Sequence, residues 1–166
     1  MEWTRSTSPR PGPWRPGRCG CGAEPAGAES FGRQLAVAAE RLVDLPAGAD
    51  AVAERGPLDF LAYLGALADL GRPSVRRDVV ARLRATTAEA MAHVDLLVVL
   101  PLEVPDLIHV PDDEDPELRE AMDAHLLDLI ADPGLVPGAT RVLEVTGAPE
   151  QRLSACLRAV GASLPK

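Results

Sequence analysis

From residue 29 onward the apolar positions recur with a helical or strand period, whereas residues before it show neither. Phe31, Leu35, Val37, Ala38, Leu42 and Val43 follow a spacing near 3.6 and predict an amphipathic helix over 29–43, ended by Pro46 and Gly48. Residues 50–54 form a short apolar stretch, a weak strand candidate. Pro57 suits the first turn of a second helix, lined by Leu58, Leu61, Leu64, Leu67 and Leu70 and stopped by Gly71. Ser74 is a candidate N-cap for a third helix reaching about His93, with Val75, Val79, Val80, Leu83 and Met91 on its apolar face. Residues 96–100 are apolar on both faces and predict a parallel strand covered on each side. Pro101, Pro105 and Pro111 then impose a loop. Asp115, Pro116 and Glu117 together start a helix through Leu118, Met122, Leu126, Leu127 and Ile130. Residues 141–145 predict a second strand, and 146–149 turn into a last helix with Leu153, Leu157 and Val160.

This order predicts an α/β domain, a three-layer parallel sheet with flanking helices. Ligands in such sheets lie at the carboxyl ends of strands, which points to the loops after Ala53, Leu100 and Val145. Residues 1–28 form a different segment. Pro9, Pro11, Pro13, Pro16 and Pro25 alternate with Gly12, Gly17, Gly20, Gly22 and Gly27, a composition that opposes packing and predicts a disordered Pro/Gly/Arg-rich leader.

The 166 residues suffice for one domain with a sizeable core. With 46% hydrophobic but only 3% aromatic residues, that core must be aliphatic. A net charge of -8 opposes binding to nucleic acid polymers and anionic membranes. No apolar run is long enough to span a bilayer, and 1–18 lack the apolar segment of a secretory signal. Cys19, Cys21 and Cys156 imply no disulfide framework, so the expected compartment is the cytoplasm. No metal site is predicted: Cys19 and Cys21 have no second thiol pair, and His93, His109 and His125 lie on separate elements. His125 reads as a solvated pair with nearby Asp128.

The run from Glu54 through Arg55, Gly56, Pro57, Leu58, Asp59, Phe60, Leu61 and Ala62 to Tyr63, following a short strand, resembles a motif of bacterial AAA-type, nucleoside-kinase-like P-loop proteins. In that family a strand ending in Asp-Arg or Glu-Arg leads into a Pro-Leu-Asp helix. Residues 96–101, an acidic loop and Arg119 look like the family's strand and lid, and 142–147 like its last core strand and turn. Taken together the likeness runs from 29 to 157 and makes 29–166 a partial P-loop kinase-like domain. It implies ATP and Mg²⁺ as ligands and phosphoryl transfer as the ancestral reaction. Arg55 and Arg119 would clamp phosphates, and Glu54 would assist the acceptor or the metal. Asp59 and Tyr63 would lie on the substrate side, and Thr146 and Gly147 would line the nucleotide.

The family's first strand and Gly-Lys-Ser/Thr loop have no counterpart. The nearest segment, 22–29, has Ala28 where the lysine belongs and Glu29 where the hydroxyl belongs, and an acid there repels phosphate. The expectation is therefore a domain that lost its front end, with ATP turnover weak or absent and no tight cofactor binding. Each candidate also has a plainer reading. Arg55 and Arg119 serve equally as surface ion-pair partners, Asp59 as a first-turn dipole partner, 146–147 as a strand-to-helix turn, and Asp112, Asp113, Glu114 and Asp115 as a solvated loop. The alternative function is a non-catalytic interaction module that self-associates through an exposed sheet edge.

Overall fold

The computed structural model describes residues 27–46, 48, 50–73, 76–103 and 115–161. Residues 1–26 of the expected 1–28 leader, with Cys19 and Cys21, lie outside the described residues, as do Ser74, His109 and 112–114 of the acidic loop; Gly27 and Ala28 belong to the start of α1. The chain runs α1 (Ala28–Val43), α2 (Pro57–Asp69), α3 (Arg77–Met91), β1 (Leu96–Val99), α4 (Pro116–Ile130), β2 (Arg141–Glu144) and α5 (Pro149–Gly161).

The organising element is α2. Leu58, Phe60, Leu61, Ala62, Leu64, Ala66 and Leu67 are all buried, so its apolar residues reach around most of its circumference. A helix apolar on nearly all sides belongs at the centre of a bundle. It contacts α1, α3 and α4, and the core extends from it to Phe31 and Leu35 of α1, Met91 of α3, and Leu135 and Val136 before β2. Its ends are well defined. Pro57 occupies the first turn, and the Asp59 carboxylate accepts a hydrogen bond from the Gly56 N–H at 2.8 Å. At the other end Gly71 adopts φ +64°, Arg72 N–H donates to Leu67 O, and Gly71 N–H donates to Ala68 O. That pair of bonds is a Schellman stop, which requires a left-handed residue just past the helix. Arg72 then reaches Asp115 and Glu117, tying the end of α2 to the start of α4. Asp115 also caps α4 by accepting from Leu118 N–H.

β1 and β2 pair in parallel, Leu96 with Arg141 through Val99 with Glu144, with α4 as the crossover. The expected three-layer parallel sheet is not the architecture: the described residues are mostly helical and hold one two-stranded sheet. Two physical reasons account for the difference. The weak strand candidate at 50–54 is unpaired and exposed, with Val52 99% accessible, because Val52 alone offers a bulky apolar side chain. The leucines of α2 bury themselves among helices and do not need a sheet to cover. Nor is β1 covered on both faces, for only Val99 is fully buried. The third helix starts at Arg77, later than expected, with Arg76 at its N-cap position. No helix among the described residues is long and apolar enough to cross a membrane.

Candidate functional site

The first candidate surface is a groove between α1 and the segment leading into α2. Arg33, Gln34, Val37, Ala38 and Arg41 come from one face of α1, and Glu54, Arg55 and Phe60 from the other side. The helical repeat explains the grouping. Positions 33, 37 and 41 stack on one stripe, with the two arginines about 12 Å apart along the axis. Val37, Ala38 and Phe60 form an apolar floor between the charges.

Arg55 is the distinctive member. It is the one described non-glycine residue with positive φ, +60°. A left-handed arginine costs about 1 kcal/mol or more. Its guanidinium carbon lies 5.8 Å from the centre of the Tyr63 ring, in cation–π range. Tyr63 in turn stacks on Phe31 with centroids 4.6 Å apart and planes 12° from parallel. The layered order Phe31, Tyr63, Arg55 runs from the core outward and gives the guanidinium a flat support beside the groove. Tyr63 thus acts as a platform for Arg55. Asp59 is occupied as the helix cap described above.

The Asp59 carboxyl is held above its ordinary range by burial, an effect opposed by the Gly56 N–H and by the charge of Arg55. A raised folded-state value means the native chain holds this proton more tightly than the unfolded chain. The stabilisation from protonating Asp59 is present at low pH and is lost as pH rises through the raised value. Asp78 and Asp115 shift the opposite way, Asp115 chiefly through its hydrogen bond from Arg72, and Asp78 because desolvation, which raises it, is outweighed by the combined hydrogen bonds from Arg76 and Arg82. Their contributions are lost as pH falls. Asp59→Asn keeps an acceptor for Gly56 and removes the buried charge. Denaturation of both proteins across the acid range should therefore show the wild type gaining on Asp59→Asn as pH falls. Parallel curves would refute this, since the exposed acids contribute equally to both.

The second candidate surface lies at the carboxyl ends of the two paired strands. The chain leaving β1 brings Glu103 against the turn after β2. The Gly147 N–H lies 3.0 Å from each Glu103 carboxylate oxygen, Arg152 Nε donates to Gly147 O at 2.7 Å, and Arg152 pairs with Glu103. Gly147 has φ +88°, which only glycine adopts without strain. Ala148 N–H donates to Gln151, which completes the start of α5. Thr146 and Gly147 line an open groove with Glu144, Glu150, Ser154 and Arg158. In this arrangement the amide of Gly147 already serves a carboxylate from the chain itself.

The expected site residues therefore separate. Glu54 and Arg55 share the α1–α2 groove, and Thr146 and Gly147 share the β2–α5 groove. Arg119 sits half-buried on the first turn of α4 and lines neither. Sequence reading missed Arg33, Gln34 and Arg41; Arg33, Val37 and Arg41 share one stripe of α1, but nothing local sets that stripe opposite Arg55. It also missed Glu103 and Arg152, which lie 49 residues apart with no local pattern to join them. His125 pairs with Asp69 of α2 at 2.9 Å, where a pair with Asp128 was expected. Among the described residues no three His, Cys, Asp or Glu side chains group to hold a metal. No family model, no curated protein and no solved structure matches this chain.

Proposed function

We propose that the chain binds an anionic small molecule with an apolar or flat body in the α1–α2 groove, with a phosphorylated nucleoside such as ATP as the first candidate class. The observation that carries this reading is the convergence of Arg33, Arg41 and Arg55 on one apolar-floored groove in a chain of net charge -8. Guanidinium forks match phosphate oxygens in pairs, and the floor formed by Val37, Ala38 and Phe60 suits a base or another apolar group. Glu54, in the same groove, is positioned to accept a proton from a bound hydroxyl or to join a Mg²⁺ ion carried in on the phosphates. One carboxylate cannot hold that ion alone, so Mg²⁺ would come and go with the ligand. Phosphoryl transfer is expected to be weak or absent, because no Gly-Lys-Ser/Thr loop gathers the phosphates.

The test is calorimetric titration of the full chain with ATP, AMP and adenosine, with and without Mg²⁺. Affinity should rise with phosphate number and weaken with salt, as for exposed ion pairs. Arg55→Ala and Arg41→Ala should each weaken ATP binding by roughly fivefold, the loss of about 1 kcal/mol expected for a solvent-exposed charged hydrogen bond. Equal affinity in the triple variant Arg33→Ala/Arg41→Ala/Arg55→Ala would exclude this groove as the site.

A further inference from the structure

The guanidinium of Arg55 rests on a ring, not on an acid. Among the described residues it forms no ion pair and no hydrogen bond, although Asp59 lies near enough to feel its charge. The Asp59 carboxylate is engaged by the Gly56 N–H instead. A guanidinium lying on an aromatic face offers its π surface and keeps its in-plane N–H donors, whereas one paired side-on with a carboxylate spends a fork of them. The support is anchored in the core: Tyr63 stands on the central helix α2 and stacks on the buried Phe31. Arg55 lines the α1–α2 groove and Tyr63 does not. The backbone adds a second constraint, since a bulky residue at φ +60° persists only where its surroundings over-determine it. Here the ring holds the side chain, and the Asp59 bond holds the next residue, Gly56.

We propose that Tyr63 is a positioning residue for this groove: it holds the Arg55 guanidinium with its donors unspent, and so sets selectivity for the phosphate end of the ligand without touching the ligand. The inference rests on the groove taking a phosphorylated nucleoside. A guanidinium already parked beside the groove loses less side-chain freedom when it grips a phosphate, so the ring acts on affinity through Arg55 alone. The nucleoside end, which lies on the apolar floor of Val37, Ala38 and Phe60, gains nothing from it.

Calorimetric titration of the full chain with ATP and with adenosine tests this, with circular dichroism to show that each variant is folded. Tyr63→Leu should weaken ATP binding about fivefold, as Arg55→Ala does, and leave adenosine binding unchanged. Tyr63→Phe keeps the ring face and should bind ATP as the wild type does. In an Arg55→Ala background Tyr63→Leu should cost nothing further, because the ring then has no guanidinium to hold. Tyr63→Met serves the same comparisons if Tyr63→Leu unfolds. A Tyr63→Leu protein with wild-type ATP affinity overturns the positioning role and leaves the groove reading standing. So does a loss that extends to adenosine or persists without Arg55, which marks a structural effect, or a loss in Tyr63→Phe, which marks a direct contact by the hydroxyl. A wild type with equal affinity for ATP and adenosine overturns the groove reading, and the positioning role with it.

Discussion

Arg152→Met is expected to destabilise the protein by about 3 kcal/mol, the scale for breaking a buried ion pair by removing one partner. The Arg152 side chain is 10% exposed and that of Glu103 23%, so the remaining carboxylate has little water to turn to. Arg152 also donates to the carbonyl of Gly147, and Glu103 accepts from that residue's N–H. The pair therefore clips the turn after β2 to the chain leaving β1, and α5 hangs from that turn. Glu103→Gln should cost less, because its amide keeps one acceptor for Gly147 while losing the charge. The informative protein is the double variant Glu103→Gln/Arg152→Met. With neither charge left behind, it should recover at least 1 kcal/mol relative to Arg152→Met alone. Urea denaturation of the four proteins gives this cycle. Additive losses in the double variant would mean the two side chains act independently.

The same pair marks where sequence reading stops. Helices and strands were legible because each is announced locally: Pro57 and Gly71 bracket α2, Asp115 and Pro116 open α4, and the apolar run at 96–100 can only be extended. How these elements pack was not legible. Alternating helices and strands imply a parallel sheet only if the strands are numerous and their faces are covered, and neither condition is local. The five leucines read in α2 look alike whether they cover a sheet or fill a bundle; the structure shows the bundle. In α5, Leu153, Leu157 and Val160 make an apolar stripe on the helix, yet all three are exposed. A single arginine with a distant glutamate outweighs them locally. At the candidate site, Glu54 and Arg55 were found from a short motif, and their partners on α1 were not. Arg33 and Arg41 have ordinary surface spacing until the fold sets Arg55 opposite them.

Gly65 is the other position where a substitution should act strongly, and here the cause is space. It lies in the middle of α2, where glycine costs about 1 kcal/mol relative to alanine. A Cβ added there would sit 2.8 Å from Nδ1 and 2.9 Å from Cε1 of the His125 ring on α4. The ring is not free to swing away, since its Nε2 is 2.9 Å from the Asp69 carboxylate one helical turn further along α2. The glycine thus lets α2 and α4 approach closely, at a cost in helix propensity. Gly65→Leu should force the helices apart and lose about 3 kcal/mol, the upper range for overpacking. Gly65→Ala sets the gain in propensity against the clash and should still come out about 1 kcal/mol less stable. In a His125→Ala background the clash is gone, so the same Gly65→Ala change should become stabilising by about 1 kcal/mol. Thermal or urea denaturation of the four proteins reads this reversal of sign directly. If Gly65→Ala stabilises the wild type as much as it does the His125→Ala variant, the α2–α4 contact is looser than the structure has it, and the glycine has another cause.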